Sequence, residues 1–268
     1  MLTKKNIIEY LAKLTERKPE LSYLFLKEIN NSHVSLFSFN NLSVLLHENL
    51  SLESNFLFEK IIKNGRGGYC FEHNKLFYDL LISLGYECKI VLARVLYNQE
   101  IDAPRTHRIT MVTLDEKKYI LDVGFGPFCS REPLLLNSNK IQDQNDAQYK
   151  IVHLEQGNYL LQILKDDKWF TLYSFDTSHF TESDCLVGHH YSSTYHEAVF
   201  VNNLVVSLKS KNQISSLRNR EYHKIKEGQN KITIISSESI LRKILIKEFG
   251  ISLKSEQLSI LYEKYCNV

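Results

Sequence analysis

Long apolar runs are missing from this chain of 268 residues, and so is any marked excess of one charge. No stretch approaches the 18 or so apolar residues, as an order of magnitude, that a membrane-spanning helix needs. The opening segment, MLTKKNIIEYLAKL, has two lysines but no continuous apolar core, so no signal peptide is expected. Thirty-three basic residues stand against 31 acidic ones, for a net charge of +2. That balance excludes a nucleic-acid surface built on gross charge. The cysteines, at positions 70, 88, 129, 185 and 266, are odd in number and form no CxxC pair. Such usage fits reduced thiols in a cytoplasm rather than a disulfide framework. Repeats, low-complexity segments and long linkers are also absent from the sequence.

Glycine is scarce as well, with 10 residues in the whole chain. Three of them fall in one short stretch, Asn64 to Asn74, NGRGGYCFEHN, immediately ahead of a cysteine. The rest of the composition, 43% apolar and 24% charged, is that of a globular protein with its own core. The length suits one or two domains.

Hydrophobic periodicity changes along the chain. Thr3 can cap a first helix carrying Ile7, Ile8, Leu11 and Leu14. A second, PELSYLFLKEINNSH, has Pro19 near its start and Leu21, Leu24 and Ile29 on its apolar side. A third, LFEKIIKNG, ends at Gly65. Phe77, Leu80, Leu81 and Leu84 make the stripe of a fourth, which Gly85 stops. From residue 88 the pattern is that of strands: 88–97, 107–114, 118–125, YKIVHLE, NYLLQILK and KWFTLYSF, separated by turn residues such as Asp166–Asp167. FVNNLVVSLK, REYHKIK and KITIISS add strands after residue 200, and ESILRKILIKEFG and SEQLSILYEKYC close the chain as helices. Residues 176–199 show no clear pattern. The expected class is α+β: a helical N-terminal part, an antiparallel β middle and an α/β end.

The glycine-rich stretch places Cys70 at the start of the fourth helix. Unpaired N–H groups and the positive dipole end favour a thiolate there. Glycines before it allow close backbone approach. A buried structural cysteine beside a tight turn is the plain alternative. A cysteine nucleophile needs a base, and the base an orienting group. His107 and Asp122 lie on the two strands of one hairpin. If its turn is Asp115–Glu116, Ile109 lies opposite Asp122, and His107 is the diagonal neighbour on the same face. A three-residue loop would put them on opposite faces. The spacing therefore permits a His–Asp pair, and an aspartate inside the apolar ILDVGF wants a partner. His189 and His190 follow Cys185, but adjacent histidines on a strand point to opposite faces and no second cluster accompanies them. No metal site is expected.

At these residues the chain resembles the arylamine N-acetyltransferases. RGGYCFEHN matches the family motif RGGxCxExN at every fixed position. THRITMV is similar to the segment of the family's catalytic histidine, and LDVGFG to its aspartate motif. IIEYLAKL, LGYEC and EFGISL extend the likeness to nearly the whole chain. The resemblance implies an N-terminal helical bundle (1–86) with the nucleophile, a central antiparallel β-barrel (87–190) with the histidine and aspartate, and a C-terminal α/β lid (191–268). It implies ping-pong acetyl transfer. Cys70 would attack acetyl-CoA, the acyl-donor substrate, with His107 as base and Asp122 orienting it. The acetyl group would pass to an arylamine, hydrazine or N-hydroxyarylamine. Arg105, Thr106 and Tyr191 would contact the cofactor, and Phe39, Phe125 and Phe200 would line the acceptor pocket. No metal, prosthetic group, nucleic acid or membrane is called for.

The chain departs from the family pattern at two places. Asn40 stands where a glutamate is frequent, which leaves Glu72 as the expected partner of Arg66. STYHEAVF lacks the usual proline and second serine and brings Glu197 toward an anionic cofactor. Three other functions remain open: an amide synthase on a larger acyl chain, a thiol hydrolase on the same triad, and a non-catalytic binding protein.

Overall fold

The computed structural model describes residues 1–138 and 140–267. Helix α1 (Lys4–Leu14) starts where the Thr3 hydroxyl accepts the N–H of Asn6 at 3.2 Å. It buries Tyr10 and Leu14, while Ile8 falls off the stripe and is 68% exposed. Helix α2 (Tyr23–Leu36) begins later than its sequence suggests. Ser22 caps it through the N–H of Phe25 at 3.1 Å, Pro19 lies ahead of it, and Leu21 and Leu24 are exposed. After β1 (Phe39–Asn40) and α3 (Leu42–Leu45), α4 (Ser54–Leu57) runs straight into a π-helical turn, Phe58–Lys63. Helix α5 (Cys70–Ser83) buries Phe77, Leu80 and Leu81. These side chains pack with Tyr10, Phe25, Ile29, Phe58 and Ile61 into one core. Each contributes roughly 1.5–3 kcal/mol by leaving water.

An eight-stranded antiparallel sheet follows, in the order β5-β4-β3-β2-β9-β8-β7-β6. Its strands are β2 (Glu87–Val95), β3 (Arg105–Leu114), β4 (Lys117–Leu121), β5 (Leu134–Leu135), β6 (Gln142–Asp143), β7 (Gln148–His153), β8 (Asn158–Lys165) and β9 (Lys168–Asp176). Asp115 and Glu116 form the β3–β4 turn with φ of 49° and 61°, the left-handed pair of a two-residue hairpin. The sheet curls into a nearly closed barrel whose last gap is bridged by side-chain amides. Gln142 bonds both the N–H and the C=O of Leu135, at 2.7 and 3.1 Å. Gln144 does the same to Glu132, at 3.1 and 3.0 Å. Each amide thus copies a strand's donor–acceptor pair and satisfies groups a barrel edge would leave bare.

Helix α6 (Glu182–Thr194) and the short α7 (Val199–Asn202) lead to a second antiparallel sheet. Its order is β1-β10-β11-β12-β13, with β10 (Val205–Ser210), β11 (Gln213–Arg218), β12 (Glu221–Lys226) and β13 (Gln229–Ile234). The N-terminal strand β1 is its edge, Phe39 pairing with Ser207. Helices α8 (Glu238–Phe249) and α9 (Ser255–Tyr265) cover it through Leu241, Leu245, Phe249, Leu258 and Leu261. The fold is α+β: a helical bundle, a barrel-like sheet and an α/β lid. Among the described residues, no helix is long and apolar enough to cross a membrane.

Besides the short elements β1, α3, β5, β6 and α7, two longer ones were not evident in the sequence. Helix α6, ESDCLVGHHYSST, is rich in serine, histidine, glycine and threonine and has little amphipathic pattern. Strand β11, QISSLR, points Ser215 as well as Leu217 into the protein, which hides its period-two signal. His189 and His190 consequently sit on a helix and not on a strand.

Candidate active site

Cys70 is the first residue of α5 and only 3% exposed. The loop before it lies flat on β1. Asn40 N–H donates to the Gly68 carbonyl at 2.6 Å, and the Asn40 amide donates to the Arg66 carbonyl at 2.9 Å. Gly67 has φ +68°, and a Cβ there would lie 2.1 Å from the Ser38 carbonyl oxygen, so this approach demands glycine. Asn40 therefore supports the loop through backbone, without needing a carboxylate.

Arg66 does not pair with Glu72, contrary to the sequence expectation. Both oxygens of Glu72 are taken inside the protein: Oε1 by the Lys60 ammonium at 2.6 Å and Oε2 by the N–H of Tyr69 at 3.1 Å. The π-helical turn carries Lys60 to that buried place, where it is 8% exposed and Glu72 1%. Arg66 lies between two glycines of positive φ and leaves the loop on the outer side, where it meets Glu48 at 3.1 Å.

His107 and Asp122 come together as the two-residue turn requires. His107 Nε2 is 2.6 Å from Asp122 Oδ2, and both residues are buried. Asn74, one helical turn beyond Cys70, ties this pair to α5. Its amide donates to Asp122 Oδ1 at 2.9 Å and to the Arg108 carbonyl at 2.6 Å, and its oxygen accepts the N–H of Val123 at 3.0 Å. Gly124 completes the contact, since a Cβ there would stand 2.9 Å from Cys70 Cα. The segment after Asp122 and the start of α5 are thus packed backbone to backbone. Asn74 had a signal in the sequence, because a spacing of four puts it on the same helix face as Cys70.

Burial would push the Asp122 carboxyl up, but the charge and hydrogen bond of His107, with donors from Asn74 and the N–H of Gly124, outweigh it and hold the group below its ordinary value. Asp122 is therefore ionised. It accepts a hydrogen bond from His107 Nε2–H, which leaves Nδ1 as the ring nitrogen turned away from the carboxylate. Burial pushes the Cys70 thiol up, and the Asp122 charge adds to this, while the N–H groups of Phe71 and of Cys70 itself pull it down. The helix end does act on the sulfur as the sequence suggests, but desolvation is the larger effect.

The thiol lies 3.7 Å from the carbonyl of Thr106, a residue that also lines a groove of about 280 Å³. Arg105, Thr106 and Tyr191 line this groove together, with Leu92, Phe180, Val187 and Gly188 among their neighbours. Glu197 does not line it. That side chain is 70% exposed and accepts the Tyr195 hydroxyl at 3.1 Å. The aromatic residues form two groups. Phe39 and Phe200 are 5.8 Å apart by ring centroid, and the Tyr69 ring stands 5.5 Å from Phe200. Phe125 packs edge-on to His107 at 4.8 Å, with Tyr173 5.1 Å from each of them. His189 is buried and accepts the Tyr69 hydroxyl at Nδ1, while His190 is exposed. Among the described residues, no three histidines, cysteines or carboxylates are grouped to hold a metal ion.

A family model described as N-acetyltransferase matches residues 24–258. The chain is 34% identical to an arylamine N-acetyltransferase of Escherichia coli over 182 residues, 68% of this chain and 64% of the relative. It spans under two-thirds of that relative's length. An arylamine N-acetyltransferase of Mycobacterium bovis is 30% identical over 233 residues, 85% of this chain and 82% of its own length. The solved structure of Mycobacterium marinum arylamine N-acetyltransferase in complex with CoA superposes with a TM-score of 0.90 at 26% identity, covering 97% of this chain and 99% of that one.

Proposed function

The chain belongs to the arylamine N-acetyltransferase family, and from that premise we propose that it transfers acetyl groups from acetyl-CoA to arylamines, hydrazines or N-hydroxyarylamines through an acetyl-cysteine. The observation that carries this reading is the assembly of Cys70, the His107–Asp122 pair and the groove within one packed unit.

The geometry supports the following sequence of events. The donor's thioester arm lies in the groove beside Arg105, Thr106 and Tyr191, with its carbonyl at the sulfur. The Cys70 proton moves to His107 Nδ1, and Asp122 stabilises the imidazolium that forms. The thiolate attacks the carbonyl carbon, and the charge on its oxygen grows where N–H groups of the α5 terminus are available. The C–S bond to CoA breaks, and His107 returns the proton to the departing thiolate. An amine then enters beside Phe39, Phe125 and Phe200, whose faces suit a flat aromatic ring. Its nitrogen attacks the acetyl-cysteine and loses a proton to His107. The amide leaves, and Cys70 recovers its proton.

All five cysteines are free, which supports a reducing, cytoplasmic setting. Intact-mass spectrometry tests the first half-reaction. Acetyl-CoA alone adds one acetyl group to the wild-type protein and none to Cys70→Ala. A wild-type protein that gains no acetyl group overturns the proposal. An acetyl-cysteine that decays to acetate at the same rate with and without amines makes the enzyme a hydrolase.

A further inference from the structure

The groove is a cleft between two elements, and one ion pair joins those same two elements. Its first wall is the start of β3, Arg105 and Thr106. Its second is one face of α6, with Asp184, Val187, Gly188 and Tyr191 at helical spacing. Arg108, three residues along β3 from Arg105, is fully buried. Its guanidinium makes a bidentate pair with Glu182, the first residue of α6, at 2.6 and 2.9 Å. The guanidinium also lies over the Tyr78 ring of α5 at 5.1 Å, and Lys75 reaches Glu182 at 3.5 Å. A second contact fixes the middle of α6. A Cβ on Gly188 would stand 2.7 Å from the Arg105 carbonyl oxygen and 2.7 Å from the Phe71 ring. Helix α6 is thus held flush to β3 at one point and clamped at its end by the other. The groove's own charges are occupied elsewhere, Asp184 by Thr181 at 2.7 Å and Arg105 by Asp176.

We propose that Arg108 and Glu182 are positioning residues for the acyl donor: their ion pair sets the distance of α6 from β3 and so the width of the groove that receives the thioester arm. The inference rests on the reading that this groove takes the donor. A bidentate pair fixes direction as well as distance. Removing the carboxylate leaves the buried guanidinium without its bidentate partner, with the Tyr78 ring below it and the Asp79 charge nearby, which favours a shift of α6 toward solvent. Neither residue faces the sulfur. Their loss therefore changes how tightly a long donor is held and not how readily Cys70 is acylated.

The test compares two donors on the full-length protein. Acetyl-CoA uses the groove, whereas p-nitrophenyl acetate is a small ester that needs only the sulfur. Glu182→Gln raises the KM for acetyl-CoA about tenfold, equivalent to about 1.4 kcal/mol, with kcat and acylation by the nitrophenyl ester within about twofold of wild type. An unchanged KM, or an equal loss with both donors, overturns the proposal. Should Glu182→Gln fail to fold, Glu182→Asp, which keeps the charge but is one methylene shorter, is read by the same ratio of donors. A wild-type protein acylated by the ester but not by acetyl-CoA sinks the donor assignment itself. Acylation by both, with the ratio unmoved in the variant, sinks only the positioning role.

Discussion

His107 Nε2 and Asp122 Oδ2 lie 2.6 Å apart in a place where both side chains are buried. The pair dictates which nitrogen of the imidazole carries the proton. Asp122→Asn keeps the shape but presents either an N–H or a carbonyl to Nε2, so the tautomer needed at Nδ1 is no longer enforced. Acetylation of Cys70, followed by mass spectrometry, slows by about 10⁴-fold, the loss expected of a triad with a misdirected histidine. The urea midpoint shifts far less. A loss of folding in proportion to activity makes Asp122 a structural residue only.

Asn74 joins α5 to both strands of the hairpin through three hydrogen bonds, at 2.6, 2.9 and 3.0 Å. Asn74→Ala leaves the Val123 N–H and the Arg108 carbonyl buried without partners. It destabilises the protein by about 2–4 kcal/mol, measured by urea unfolding. Acylation slows as well, because Asp122 loses a donor and the hairpin its seat against Cys70. A variant of normal stability denies Asn74 this joining role.

Lys60 and Arg66 both meet carboxylates near the nucleophile loop, yet their removal has unequal consequences. Lys60→Met strands the Glu72 carboxylate in the core, where it is 1% exposed. Breaking a pair of that kind costs about 3–5 kcal/mol. Arg66→Met frees Glu48, which is 30% exposed and regains water; that costs about 1 kcal/mol or less. Thermal unfolding of the two variants gives the comparison. Equal shifts in Tm mean that the Lys60–Glu72 pair is no more desolvated than the other.

These contrasts also mark what the sequence could convey. The two-residue turn at Asp115–Glu116 sets strand parity, and parity alone brings His107 and Asp122 to one face. The placement of Cys70 at a helix start was equally legible, since Gly65, Gly67 and Gly68 end one element and the stripe from Phe77 begins another. The partner of Glu72 was not. It arrives on a π-helical turn, whose extra residue per turn rotates Lys60 inward and has no signature in LFEKIIKNG. Helix α6 was hidden for another reason. One of its faces lines a groove and another packs through Gly188 and His189, so its buried residues are small or polar rather than apolar. The edge strand Phe39–Asn40 is two residues long and pairs with residues more than 160 positions away, a distance at which no local pattern carries information.

Behind the loop that leads into Cys70, three buried side chains form a single-file relay of hydrogen bonds. The Tyr10 hydroxyl donates to His33 Nδ1, His33 Nε2–H donates to His73 Nδ1 at 2.9 Å, and His73 Nε2–H donates to the Ser38 carbonyl at 3.1 Å. A further proton at His73 Nδ1 faces the His33 Nε2–H, and one at His33 Nδ1 forces the Tyr10 hydroxyl to turn from donor to acceptor. Burial lowers His33 well below its ordinary value, with the His73 charge adding to it, and burial lowers His73 to about 4. His189 is lowered too, chiefly by burial. The unfolded chain, with histidines near their usual value of about 6.5, therefore binds more protons than the folded one below that pH. Stability is fully present above pH 6.5 and is lost as the pH falls toward 4, by up to about 1.4 kcal/mol per pH unit for each histidine. Ionised carboxylates such as Asp122 add their own loss only at the acid end, below the usual carboxylate range. Urea unfolding at a series of pH values between 4.5 and 7, set about half a unit apart, yields the slope. His73→Asn, which removes one titrating group and keeps a donor toward Ser38, gives a shallower slope by about one proton. Parallel slopes for the two proteins mean that His73 is protonated alike in the folded and unfolded chain, and the relay is then not the acid-sensitive element.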